Sequence, residues 1–170
     1  MNTGSKDKIL SGDGSRLATA RQRLRQLSIK LPAPPKPLGI YAEAVHTGNL
    51  LFLAGMLPTV GREAKFIGRI GAELDVQTGR KAAYLAALGA LAVARQHLGS
   101  LDEVTRIVRL GVLLATSGDF REQPKIADGA SELLQDVFGK DQNPSRLVYC
   151  ADGLPLGVPD ERVLIFEVSA

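Results

Sequence analysis

An α+β fold, with a mixed or antiparallel sheet of five or six strands and two helices on one face, is what this 170-residue sequence predicts. Three observations carry the prediction. Runs of β-branched and aromatic residues recur between Gly, Pro and Asn punctuation, as strands do. Two longer stretches instead space their apolar residues three and four apart, as amphipathic helices do. Several of the strand runs are apolar on both sides, although two helices shield only one side of such a sheet. The expected order is β-β-β-α-β-α-β-β.

Residues 1–37 read as an extension and residues 38–170 as a single domain. The first fourteen residues are rich in Gly, Ser, Asp and Lys, bury nothing and are expected to be disordered. Ser15 is then expected to cap a basic helix from Arg16 to Leu27, with Leu17, Ala20, Leu24 and Leu27 on one face and Arg21, Arg23 and Arg25 among them. An Arg-rich amphipathic helix also suits a mitochondrial presequence. Asp7 and Asp13 and the lack of a cleavage pattern favour a helix that belongs to the fold. From Leu31 to Pro37 four prolines deny helix and impose an extended linker.

Tyr41 to His46 and Leu50 to Leu57 flank Thr47-Gly48-Asn49, and the Gly-Asn pair signals a hairpin. Phe66 to Ile70 is a third, short strand candidate. Asp75 caps the longest helix, which runs to about Leu98 and stops at Gly99. Its alanines, Ala82, Ala83, Ala86, Ala87, Ala90 and Ala92, suit close packing on a sheet. Val104 to Thr116 reads as a strand with Val104, Val108, Leu110, Val112 and Leu114 on one side and Ile107, Gly111, Leu113 and Ala115 on the other. A second helix, Pro124 to Phe138, buries Ile126, Ala130, Leu133, Leu134 and Val137. Leu50, Phe52, Ala54 and Met56 oppose Leu51, Leu53 and Leu57, and Leu164, Phe166 and Val168 oppose Val163 and Ile165. An uncovered apolar sheet face of that size is expected to be buried against other copies of the chain.

Composition narrows the functional classes. A net charge of +3, no Trp and 5% aromatics argue against single-stranded nucleic-acid binding through basic, aromatic surfaces. One Cys and two His supply neither a disulfide nor a His/Cys zinc constellation, so no metal is expected and a reducing, cytoplasmic setting fits. No apolar run is long enough to span a membrane. Neither a P-loop nor a dinucleotide fingerprint occurs, and no cofactor is expected.

The stretch from Asn143 to Ala170 holds the candidate chemistry. Two strand-like runs surround Gly153-Leu-Pro-Leu-Gly-Val-Pro159, and the simplest reading is an antiparallel hairpin. With the loop centred near Pro155 and Leu156, Glu161 lies opposite Cys150 and Arg146 opposite Ile165, on one face. At ~3.4 Å per residue their backbones stand roughly 14 Å apart, a gap that two long side chains narrow around a small molecule. The planar guanidinium of Arg146 suits a bidentate grip on a carboxylate; the alternative is an ordinary strand Arg paired with a neighbour. Cys150, expected to face the same way as Val148, reads as a small hydrophobe rather than a nucleophile. Gly55 either lets a ligand approach its strand or marks a bulge.

Pro144-Ser-Arg146, Leu154-Pro155 and Glu161, with Asp119-Phe120, Asp128-Gly-Ala-Ser131, Leu53-Ala-Gly55-Met-Leu-Pro58 and Gly39-Ile-Tyr41, resemble the signature of the Rid family, also called YjgF-like or endoribonuclease L-PSP proteins. The resemblance runs from about residue 16 to the end, and is greatest to a subgroup with an extra N-terminal helix. It implies a chorismate-mutase-like fold and a homotrimer with sheets facing inward and three clefts between subunits. It further implies enamine/imine deaminase activity on reactive 2-imino acids, with no metal or cofactor. Carried over by position, Arg146 binds the substrate carboxylate, Glu161 positions or activates the attacking water, and Tyr41 enters the cleft from the neighbouring subunit. Ala54, Gly55, Asp128 and Val148 line the pocket, with Ala54, Val148 and Asp128 standing where many deaminases have Ser, Cys and Asn. Three classes stay open: a hydrolase of 2-imino acids, a sensor that binds small 2-imino or 2-keto carboxylates without turnover, and an endoribonuclease.

Overall fold

The computed structural model describes residues 18–169. The sheet has five strands: β1 (Ala44–Thr47), β2 (Leu50–Leu53), β5 (Val104–Ala115), β6 (Ser145–Ala151) and β7 (Asp160–Val168), in the order β1-β2-β7-β5-β6. The two remaining strands, β3 (Thr59–Val60) and β4 (Glu63–Ala64), form a small separate hairpin. Among the described residues, three α-helices complete the α+β architecture: α1 (Ala20–Gln26), α2 (Val76–Leu98) and α3 (Gln123–Phe138). Every pairing in the main sheet is antiparallel except β5 with β6, which is parallel.

The β1–β2 hairpin turns at Gly48, whose φ of 58° is the left-handed conformation the Gly-Asn signal anticipates. Its strands are shorter than the expected Tyr41–His46 and Leu50–Leu57. Phe66 to Ile70 is not a strand; Ile70 makes only isolated bridges, to Leu74 and Thr116, and glycines at 68 and 71 with φ of 120° and 87° break any extended run there. Among the N-terminal expectations, residues 1–17, including Ser15, lie outside the described residues. The first helix starts later than expected, because Thr19 is its cap: the Thr19 hydroxyl accepts from the Gln22 N–H while the Gln22 side chain accepts from the Thr19 N–H.

Asp75 caps α2 by accepting from the Thr78 N–H at 2.7 Å, and Gly99 at φ 78° closes it. The alanines Ala83, Ala86, Ala87 and Ala90 are fully buried. On α3, Ile126, Ala127, Ala130, Leu133, Leu134 and Val137 are buried, so both helices turn their small or aliphatic stripes inward. They touch closely at Gly129, where a Cβ would stand 2.5 Å from the Arg80 carbonyl oxygen.

Period-two alternation sorts the sheet into two faces. Leu51, Leu53, Leu110, Val112, Leu114, Leu164, Phe166 and Val168 are buried in one core with α2 and α3. The opposite face carries Val45, Phe52, Gly111, Leu113, Leu147, Tyr149, Val163 and Ile165, none of which is fully buried. Strand β5 does not keep the two-sided split expected for it. A register shift between Ile107 and Arg109 moves Ile107 into the core beside Leu110 and leaves Val108 37% exposed.

Candidate functional site

The C-terminal hairpin does not form. β5 lies between β6 and β7, so Arg146 pairs with Leu110 rather than Ile165, and Glu161 with Leu113 rather than Cys150. The long loop permits this: β6 runs parallel to β5, and the chain crosses β5 before returning antiparallel to it as β7. Leu110, Arg146's partner, points into the helix-covered core, and Leu113, Glu161's partner, lies on the other side. Arg146 and Glu161 therefore occupy opposite faces of one sheet.

Arg146 belongs to a cluster with α3. Its Nη1 lies 2.6 Å from Asp128 Oδ1 and donates to Ser131 Oγ at 3.1 Å. Asp128 and Ser131 are three residues apart and share one helix face; the Ser131 hydroxyl itself donates back to the Ala127 carbonyl. Both contacts use Nη1. Among the described residues, Nε and Nη2 have no protein partner, and they form the side edge of the guanidinium that grips a carboxylate in a bidentate manner. The side chain retains 29% exposure. Val148 and Cys150 follow on the same strand face, Val148 half-buried against the core and Cys150 exposed, with Gln123 donating to its Sγ at 3.5 Å.

Glu161 belongs to a second cluster. A Cβ on Gly55 would lie 1.7 Å from Glu161 Oε1, so only glycine leaves that carboxylate its place. Burial pushes the Glu161 carboxyl up from its ordinary value. Tyr41 lies before β1, not within it; it is exposed, its hydroxyl accepts from the Leu38 N–H at 3.1 Å, and it lines a small cavity of about 30 Å³ that also touches Gly55. Ala54, next to Gly55, packs half-buried against the core. The expected site residues thus fall into two groups within one chain: Arg146, Asp128 and Val148 on one side, Tyr41, Gly55 and Glu161 on the other.

One feature of the region carried no prediction from sequence. Asp160 and Arg162, both 0% exposed, approach to 2.7 Å beneath the helices, off the axis of a hydrogen bond, and neither side chain has a hydrogen-bond partner among the described residues. Burial pushes the Asp160 carboxyl up to about 7 against the opposing pull of Arg162. Arg162 is lowered by burial, and Arg146 is near enough to lower it further. The signal was the strand phase: with Leu164, Phe166 and Val168 inward, period two places Arg162 and Asp160 inward as well. Ser131 was within reach too, by its helical spacing from Asp128.

Residues 21–166 match the family model described as "YjgF/chorismate_mutase-like, putative endoribonuclease". The chain belongs to this YjgF/chorismate mutase-like family. Among its relatives, protein TCP17 of Trypanosoma cruzi is 37% identical over 149 residues, covering 86% of this chain and 92% of that protein. A crystal structure from Shewanella oneidensis, with the same endoribonuclease description, is 31% identical with a TM-score of 0.84, covering 89% of this chain and all of that one. A protein of unknown function from Agrobacterium tumefaciens is 29% identical, TM-score 0.80, over 88% of this chain and 92% of its own. The family match, residues 21–166, takes in both clusters. No helix among the described residues is long and apolar enough to cross a membrane.

Proposed function

We propose that this YjgF-type chain is an enamine/imine deaminase that hydrolyses reactive 2-imino acids to 2-keto acids and ammonia, in a cleft completed by two copies of the chain. The observation that carries the reading is the state of Arg146: fixed through Nη1 by Asp128 and Ser131, with its Nε and Nη2 edge open to a carboxylate. Because Glu161 lies on the other face of the sheet, the water-handling group comes from a neighbouring copy, and Tyr41 and Gly55 come with it. The exposed apolar sheet face supports a homotrimer with sheets inward. Residues 1–37 are its extension, and a cytoplasmic setting suits substrates released by other enzymes.

Imine hydrolysis asks for an anchor, a placed water and proton transfer. Arg146 holds the carboxylate. Glu161, its pKa raised by burial, takes a proton from the water as the water oxygen bonds to the imine carbon. The resulting carbinolamine nitrogen is protonated, the C–N bond breaks to release ammonia, and loss of the hydroxyl proton leaves the keto group.

Removing a bidentate partner of a desolvated carboxylate costs roughly 2–5 kcal/mol. Arg146→Ala is therefore expected to abolish keto-acid release and Arg146→Lys to retain little, both with unchanged assembly. Glu161→Gln should lower turnover more than ligand affinity. An Arg146→Ala chain that hydrolyses 2-iminopropionate at the wild-type rate removes this reading. The description shared by the family supplies a second one: RNA cleavage by the wild type, lost in Arg146→Ala, would favour an endoribonuclease.

A further inference from the structure

We infer that the Arg146 site selects ligands carrying a cationic nitrogen beside the carboxylate, zwitterionic 2-iminium or 2-amino acids, over the net-anionic 2-keto acid of the same skeleton, with Asp128 setting the preference. The selectivity presupposes that Arg146 anchors a carboxylate, as proposed above.

The charges around the anchor support it. The single positive charge of Arg146 is met at 2.6 Å by Asp128. The neighbouring cation, Arg162, is fully buried and faces Asp160 at 2.7 Å, which offsets its charge wherever that carboxyl is ionised. Glu161, contributed by the adjoining copy, adds a second carboxylate to the cleft. One cation and two carboxylates then surround the ligand. A keto acid brings a further negative charge that nothing balances, whereas an iminium or ammonium acid offers its carboxylate to the open Nε–Nη2 edge and its cationic nitrogen to the surrounding carboxylates. The same imbalance favours the protonated imine over the keto-acid product, which is released more readily. An Asn at this position would hold the guanidinium equally through its oxygen but leave the charge of Arg146 uncompensated.

Calorimetric titration of the full chain at low ionic strength, with L-alanine and with pyruvate, tests this directly. The wild type is expected to bind alanine more tightly. Asp128→Asn should strengthen pyruvate binding by roughly three- to tenfold, the Coulombic effect of one charge at ~7 Å, and leave alanine within about twofold. Ser131→Ala removes the other Nη1 partner without changing charge, and should weaken both ligands alike. An Asp128→Asn chain that weakens both by the same factor, or alters neither, overturns the proposal and leaves Asp128 as a prop for Arg146. The same ratio shift in Ser131→Ala overturns the charge explanation. If neither ligand binds the wild type, the carboxylate-anchor reading falls first and this preference with it.

Discussion

The two faces of the sheet use the same strands to opposite ends. On the inner face, Leu164 and Phe166 are completely buried and α2 and α3 close over them. On the outer face of the same strands, Val163 and Ile165 remain half-exposed, and Phe52, Val45 and Tyr149 are 38%, 54% and 55% exposed. The described residues suffice to finish the first face and leave the second without a covering element among them. The candidate chemistry is divided in the same way, Arg146 with the helices and Glu161 across the sheet. A residue pair assigned to one pocket is thus, within one chain, separated by the sheet itself.

The largest effect should come from breaking the inner face where it is least tolerant. Arg162→Ala leaves Asp160 buried without its counter-charge, so thermal or denaturant unfolding should show a loss of about 3–5 kcal/mol. Replacing both residues by aliphatic ones of similar volume should restore most of it. A single Arg162→Ala variant as stable as the wild type would mean that the pair is not sealed from water as the structure describes.

The fold was legible in the sequence wherever one local signal decided the outcome. Asp75, Gly99 and the alanine spacing define α2, and Gly48-Asn49 defines the first turn. The candidate site was legible by residue but not by arrangement. Whether the strand after Gly153–Pro159 pairs with β6 or passes to the far side of β5 depends on a competition between strands distant in sequence, which neither the loop nor the alternation encodes. The bulge near Val108 likewise arises from pairing with β7, and its effect on Ile107 is invisible in the pattern of β5 alone. Alternation did hold the phase of β7, and with it the buried Asp160 and Arg162.

On the outer face a comparable insult should act differently. Ile165→Lys places a charge on the uncovered apolar surface, and light scattering is expected to show loss of assembly while the helical circular dichroism signal stays. Unfolding of this variant, rather than dissociation, would show that the outer face stabilises the single chain. On the proposed two-copy cleft, dissociation should also abolish imine hydrolysis, because each cleft would then lack half its residues.

The smallest expected effect is a pH dependence belonging to the inner face. Asp160 titrates in the folded chain at about 7 against an ordinary 3.8, so the folded state holds its proton more tightly than the unfolded state. The stability this contributes is complete below the unfolded value and is lost as pH rises through about 7. Glu161, also raised by burial, acts with the same sign. Melting temperatures measured from about pH 5 to about pH 8 should fall in the wild type and fall less in Asp160→Asn. A wild-type chain that gains stability over that interval would reverse the assignment.

That each cleft draws Arg146 from one copy and Glu161 from another is tested most directly by complementation. Arg146→Ala and Glu161→Ala chains, each inactive alone, would be co-expressed in equal amounts, purified as mixed assemblies and assayed for hydrolysis of 2-iminopropionate. If the two residues come from different copies, random mixing leaves about a quarter of the clefts with both groups, and activity should return to about that fraction of wild type. If both residues of a cleft come from one chain, every cleft in the mixture lacks one of them, and the absence of any recovered activity would contradict the account.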